Sequence, residues 1–272
     1  MSNRIDQRLA QLQQTKRKAL VPFFTAGDPA GASCTDIMHA LVSAGADLIE
    51  LGMPFSDPMA DGPVIQQSSE RALTRKIGID SICRSVQEFR NRDQATPIVL
   101  MGYLNPIEVR GVQRFAKEVV AAGVDGVLLV DLPTEEAASY RRIFSAEHLH
   151  FISLAAPTTS EQRLQQLSQN AEGYIYYVSF AGVTGANQID MAQVQSRVDH
   201  LRQLAKIPVL VGFGIKDATS AAALAQFTDG VIVGSALVEI MASSQDPIAS
   251  ATQFIQSIRA GLDQVVRSNA RK

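Results

Sequence analysis

Eight short apolar runs, each bounded by Gly, Pro or Asp, recur along the 272 residues: Leu20–Thr25, Leu48–Gly52, Pro97–Met101, Gly126–Val130, Phe151–Ala155, Tyr174–Val178, Val209–Gly212 and Gly230–Val233. Segments with helical spacing separate them, at Ile37–Ala44, Ile82–Phe89, Phe115–Ala122, Ala137–Phe144, Leu164–Leu167, Val194–Leu204, Ala221–Phe227 and Ile248–Val265. Short buried strands alternating with helices pair in parallel through right-handed crossovers. Eight such units in one chain predict a closed (β/α)8 barrel, a fold that commonly takes about 250 residues, although an open sheet shares the local pattern. The whole of 1–272 is read as a single barrel domain. Arg4–Gln14 carries Ile5, Leu9 and Leu12 on one helical face and predicts an extra N-terminal helix that plugs one end.

Apolar residues at 46% and charged residues at 19% exclude a disordered or fibrous chain. A net charge of -2, with no long basic stripe, argues against nucleic acid as a partner. The densest basic cluster, Lys16-Arg17-Lys18, ends the first helical stretch and is read as a solvated cap. Cys34 and Cys83 fall in helical segments without metal-ligand spacing and are read as reduced thiols. Met1–Lys18 lacks the apolar core of a secretory signal, and no run approaches the ~20 apolar residues of a membrane span, so a soluble, cytoplasmic protein is expected.

Function concentrates after the second run. Glu50 places a carboxylate inside an apolar strand, where burial without a paired charge would raise its pKa toward the range useful for proton transfer. A half-exposed strand glutamate is the plainer alternative. A Gly/Pro-rich loop from Met53 to Val64 follows and brings Asp61, a second candidate acid that could equally be a turn residue of Asp-Gly-Pro. That loop and another at Ser179–Asp190 are long enough to act as lids. Gly212-Phe213-Gly214 and Gly234-Ser235 end the last two strands and open on helices, an arrangement whose backbone N–H groups can cradle a phosphate. A nucleoside triphosphate site is not expected, because the chain lacks a Gly-x-x-x-x-Gly-Lys-Ser/Thr run. The four histidines, His39, His148, His150 and His200, avoid the C-terminal ends of the runs, so no metal site is expected. No lysine lies inside any run; Lys216 is the one candidate for Schiff-base chemistry and reads more simply as a solvated helix start. A nucleophile elbow is missing as well. What remains is proton chemistry by two carboxylates in different environments, acting on a phosphorylated compound.

The run Glu50-Leu-Gly-Met-Pro-Phe-Ser-Asp-Pro-Met-Ala-Asp-Gly-Pro resembles the signature of the tryptophan synthase α subunit. Pro22-Phe-Phe-Thr-Ala-Gly-Asp-Pro29, Gly182-Val-Thr-Gly185, Gly212-Phe-Gly-Ile215 and Gly234-Ser235 match the family too, in family order. The resemblance implies a (β/α)8 TIM barrel and a carbon–carbon lyase that splits indole-3-glycerol phosphate into indole and glyceraldehyde 3-phosphate. It further implies Glu50 as the proton carrier, Asp61 as the anchor of the indole N–H, and Tyr176 beside Glu50. Thr184 would meet Asp61 on loop closure; Phe23, Leu100, Leu128 and Phe213 would wall the indole; Gly185, Gly214, Gly234 and Ser235 would hold the phosphate. No cofactor is implied for this chain. The implied partner is a pyridoxal-phosphate β subunit in an α2β2 heterotetramer. Two other readings stay open, namely a non-catalytic allosteric subunit that binds a phosphate ligand, and another barrel enzyme acting on a related sugar phosphate. Departures from the commonest family pattern are small: Met59 and Val64 stand where Leu and Thr are frequent, and Phe180-Ala181 precede Gly182.

Overall fold

A computed structural model describes residues 3–178, 191–212 and 214–269. Its strands fall on the apolar runs: β1 (Ala19–Thr25), β2 (Ile49–Gly52), β3 (Ile98–Gly102), β4 (Gly126–Leu129), β5 (His150–Phe151), β6 (Ser153–Ala155), β7 (Ile175–Val178), β8 (Val209–Gly212) and β9 (Gly230–Val233). Neighbours pair in parallel in the order β5-β4-β3-β2-β1-β9-β8-β7-β6. Because β5 and β6 are two halves of the fifth run, parted only at Ile152, the two ends of that order meet and the sheet rolls into a nearly closed barrel. The predicted (β/α)8 architecture is the one observed.

Helices α1 (Arg4–Gln14), α2 (Cys34–Ser43), α3 (Pro63–Thr74), α4 (Ile79–Arg90), α5 (Leu104–Arg110), α6 (Val112–Ala122), α7 (Ala137–Ala146), α8 (Glu161–Gln169), α9 (Met191–Leu204), α10 (Ala218–Ala225), α11 (Ser235–Ser243) and α12 (Pro247–Asn269) accompany it. The spacing did not signal α3 or α5. Each carries a proline in its first turn, Pro63 and Pro106, which reads as a loop residue but is tolerated there because that N–H has no helical partner.

Side chains alternate across the barrel wall with the two-residue period of a strand. Leu48, Val99, Leu128, Ile152, Tyr174, Leu210 and Ile232 point inward and pack on Ile5, Leu9 and Leu12 of α1. Ile49, Leu100, Val127, Val211 and Val231 belong to the layer shared with the outer helices. The first helix is therefore the expected plug. Asn3 caps it by accepting from the Ile5 N–H, and burying each of its three apolar side chains contributes about 1.5–3 kcal/mol.

A repeated polar device fixes the plugged end. Acids just ahead of the second, fourth, sixth and eighth apolar runs each accept a backbone N–H at the start of the preceding run: Leu20 to Asp47 (2.9 Å), Ile98 to Asp125 (2.8 Å), Phe151 to Glu172 (2.9 Å) and Val209 to Asp229 (2.9 Å). Two of these acids are buried and gather arginines. Asp47 takes Arg8 at 2.6 Å and Arg259 at 3.1 Å, while Asp125 takes Arg4 at 2.8 Å and Arg90 at 2.9 Å. Arg4 and Arg8 come from α1, so the charges that close the strand ends also hold the plug. The basic cluster is not simply solvated. Arg17 lies 3.5 Å from Asp263 and Lys18 donates to the Thr228 carbonyl at 2.6 Å, tying the end of α1 to the barrel.

Removing one member of such a buried pair strands the other. Asp125→Ala leaves Arg90 without its carboxylate and should lower unfolding free energy by about 3–5 kcal/mol, against less than about 0.5 kcal/mol for Glu239→Ala on the exposed face of α11. Urea titrations of the two variants check this.

Candidate active site

Toward the opposite end of the barrel, Glu50 follows Leu48 and precedes Gly52 on the inward face of the second run. Its side chain is 0% exposed. The Tyr174 hydroxyl donates to Glu50 Oε1 at 2.5 Å, and the second oxygen, Oε2, is buried with no hydrogen-bond partner among the described residues. Burial pushes the carboxyl up to about 7, with the Tyr174 hydrogen bond pulling the other way. A carboxyl with one oxygen held and one free, poised near neutrality, can both give and take a proton.

Asp61 sits on the loop after β2, half-buried. Tyr103, just beyond β3, donates to Asp61 Oδ2 at 3.0 Å and accepts the Ala60 N–H at 3.0 Å, while its ring stacks on Phe55 at 5.1 Å. Gln66 on α3 donates to the Asp61 carbonyl at 2.8 Å, so the loop is tied at both sides. Burial raises the Asp61 pKa and the Tyr103 hydrogen bond lowers it. A narrow cleft opens beside this carboxylate, lined among others by Phe23, Met53, Asp61, Met101, Tyr103 and Val130.

Tyr176 lies within electrostatic reach of both acids. It follows Tyr174 by two residues on the same face, and its phenol is pushed well above its ordinary pKa by burial and then by the charges of Glu50 and Asp61. Both carboxylates therefore act on one group. The ring lies so close to β8 that a Cβ on Gly212 would stand 2.1 Å from its hydroxyl, so any other residue there would displace the ring.

The two glycine turns are not equivalent. Asp217 caps α10, taking the Ser220 N–H at 2.7 Å, so that helix start is already satisfied. Gly234 begins α11 with φ −116° and ψ −87° and offers no side-chain cap, leaving the first N–H groups behind Ser235 open to an anion. Gly214 takes φ +58° between the two.

The residues 9–267 match the family model described as tryptophan synthase alpha chain. The chain belongs to the tryptophan synthase alpha chain family. It is 59% identical over 265 residues to the tryptophan synthase alpha chain of Xanthomonas oryzae pv. oryzae (strain PXO99A), covering 96% of this chain and 99% of that one. The alpha chain of Xylella fastidiosa (strain 9a5c) is 55% identical over 266 residues, covering 97% and 99%. Among solved structures, tryptophan synthase subunit alpha from Legionella pneumophila str. Paris superposes with a TM-score of 0.92 at 43% identity, covering 97% of this chain and 100% of that one.

Of the wall residues inferred for an alpha chain, Phe23 lines the cleft and Leu128 packs with Tyr176 inside the barrel. Leu100 is a correction. Alternation along β3 turns Val99 and Met101 inward and Leu100 outward, onto the helix layer, and Met101 takes the place assigned to it. Thr184, Gly185 and Phe213 lie outside the described residues. The sequence reading missed Tyr174 and Tyr103. The first could have been found from Tyr176 by the two-residue period; the second follows Gly102 at the end of its strand, with no local mark beyond that. His150 pairs with Asp6 at 2.8 Å at the plugged end, and Lys216 is exposed. Among the described residues, no three His, Cys, Asp or Glu side chains converge as a metal site.

The raised Glu50 pKa has a cost in stability. The folded chain holds the proton up to about 7, whereas the ordinary value is 4.5, so ionisation disfavours folding fully above 7, progressively less down to 4.5, and not at all below. Glu50→Gln should therefore stabilise the chain by ~3 kcal/mol at pH 8, with the gain gone by about pH 4. Urea unfolding at the two pH values measures it.

Proposed function

We propose that this chain cleaves indole-3-glycerol phosphate to indole and glyceraldehyde 3-phosphate by a retro-aldol reaction. The observation that carries the reading is the Glu50 carboxyl: fully buried, held through one oxygen, free at the other and shifted to about 7, with Asp61 acting on the same tyrosine. A proton delivered to ring C3 leaves positive charge on the indole nitrogen. Loss of the proton from the neighbouring glycerol hydroxyl then lets the carbon–carbon bond break, its electron pair neutralising the ring as the aldehyde forms. Glu50 gives the first proton and takes the second. Asp61 receives the ring N–H and stabilises the transient charge in a site shielded from water.

The rest of the substrate has partners in the same reading. Phe23, Leu128, Met101 and Tyr176 enclose the ring, and the open start of α11 at Gly234 and Ser235, with Gly214, takes the phosphate. By the family resemblance Gly185 and Phe213 would complete the two ends and Thr184 would meet Asp61; all three lie outside the described residues. The chain itself works without a cofactor, as one barrel domain in the cytoplasm. Indole passes to a pyridoxal-phosphate β subunit in an α2β2 assembly. Among the described residues, no helix is long and apolar enough to cross a membrane.

Glu50→Gln and Asp61→Asn should each lower kcat for indole release by about 10²–10⁴-fold while a glycerol phosphate analogue still binds. Indole is followed by its absorbance or by a colour assay. Release of no indole by the parent chain, with the β subunit present, would overturn the proposal.

A further inference from the structure

The barrel wall has an opening between its fourth and fifth strands. β4 pairs with β5 only at Gly126–His150 and Val127–Phe151, and the last ladder bond runs from the Ile152 N–H to the Val127 carbonyl at 2.9 Å. Beyond it β6 pairs with β7 alone, so the upper half of β4 has no strand on that side among the described residues. A cleft of about 150 Å³ fills the gap. It is lined from the helix side by Leu129, Ser153 and Arg141 of α7, and from the barrel side by Val130, Ile152 and Leu154. Val130 also lines the cleft beside Asp61. Val130 is the one described residue that lines both spaces, on the inward face that Gly126 and Leu128 establish along the same run.

We propose that Val130 is a specificity-determining residue: its side chain shuts a lateral window in the wall and so limits the size of the aromatic ring the site accepts. The inference rests on the proposed indole-bearing substrate. The ligand class added by opening the window is an indole carrying a bulky ring substituent such as chlorine or bromine, which would project between β4 and β6. The cleft is already there, so a substituent meets space rather than packed core once the valine is shortened. A single methyl or methylene at a pocket wall typically changes discrimination by about 10–200-fold.

The test has two arms. In the first, kcat/KM is measured for indole-3-glycerol phosphate and its bromo-substituted forms. Val130→Ala should raise the ratio of bromo to parent substrate about tenfold or more for at least one ring position, and Val130→Ile should lower it. In the second, free indole and bromoindoles are titrated calorimetrically against the same variants, with their fold checked by circular dichroism. Gain of bromoindole affinity in Val130→Ala without any turnover in the parent would uphold the window and sink the reaction. Indole release by the parent with both ratios unmoved by the Ala and Ile substitutions would uphold the reaction and overturn the window; should the Ala variant not fold, the Ile variant alone decides in the same way.

Discussion

Placing a carboxyl group in the dry interior of a barrel is the constraint around which the rest is arranged. Glu50 reaches no water and no cation among its described neighbours; a single phenol, Tyr174, holds one of its oxygens. Desolvation moves its titration to about 7, and the folded chain carries that cost whenever the group is ionised. Such a cost is tolerable only in a scaffold with stability to spare. The opposite end of the same strands supplies it, through buried aspartates that bind strand N–H groups and the arginines of α1, α4 and α12 together.

The two ends thus divide the work between stability and chemistry. At the plugged end the buried carboxylates of Asp47 and Asp125 are matched to strand N–H groups and arginines, so they fix the strands and the helix beneath them. At the other end, groups are left partly unmatched: one oxygen of Glu50, and the first N–H groups of α11. A substrate with a hydroxyl, an aromatic ring and a phosphate can complete them. Asp61 differs from both, being held by Tyr103 and Gln66 on a loop rather than by a strand, so its approach to the ring depends on where that loop lies.

How far this could be read from the sequence follows from which interactions are local. Apolar runs and glycine turns located every barrel strand, because burial on both faces leaves a mark along the chain itself. Glu50 stood out for the same reason, as an acid in a run that otherwise has none. The inward or outward direction of a wall residue depends on strand phase, and a one-residue error put Leu100 where Met101 belongs. Tyr103 and Tyr174 were missed because their significance lies in partners 42 and 124 positions away. The cluster Lys16-Arg17-Lys18 looked solvated for want of any view of Asp263 and Thr228, which the fold brings against it. Nor could spacing tell the capped start of α10 from the open start of α11, since both follow a glycine turn and only one has Asp217 and Ser220 in hand.

The account depends most directly on the charge state of one side chain near neutral pH. Glutamate labelled with ¹³C at the carboxyl carbon would report it: the signal missing from Glu50→Gln identifies the residue, and a pH titration of that signal gives its pKa. A midpoint close to 7 is the result expected from a carboxyl that carries a proton in both directions. A midpoint near 4.5 would mean that Glu50 is solvated and permanently ionised at neutral pH, and the proton-transfer role assigned to it would be wrong.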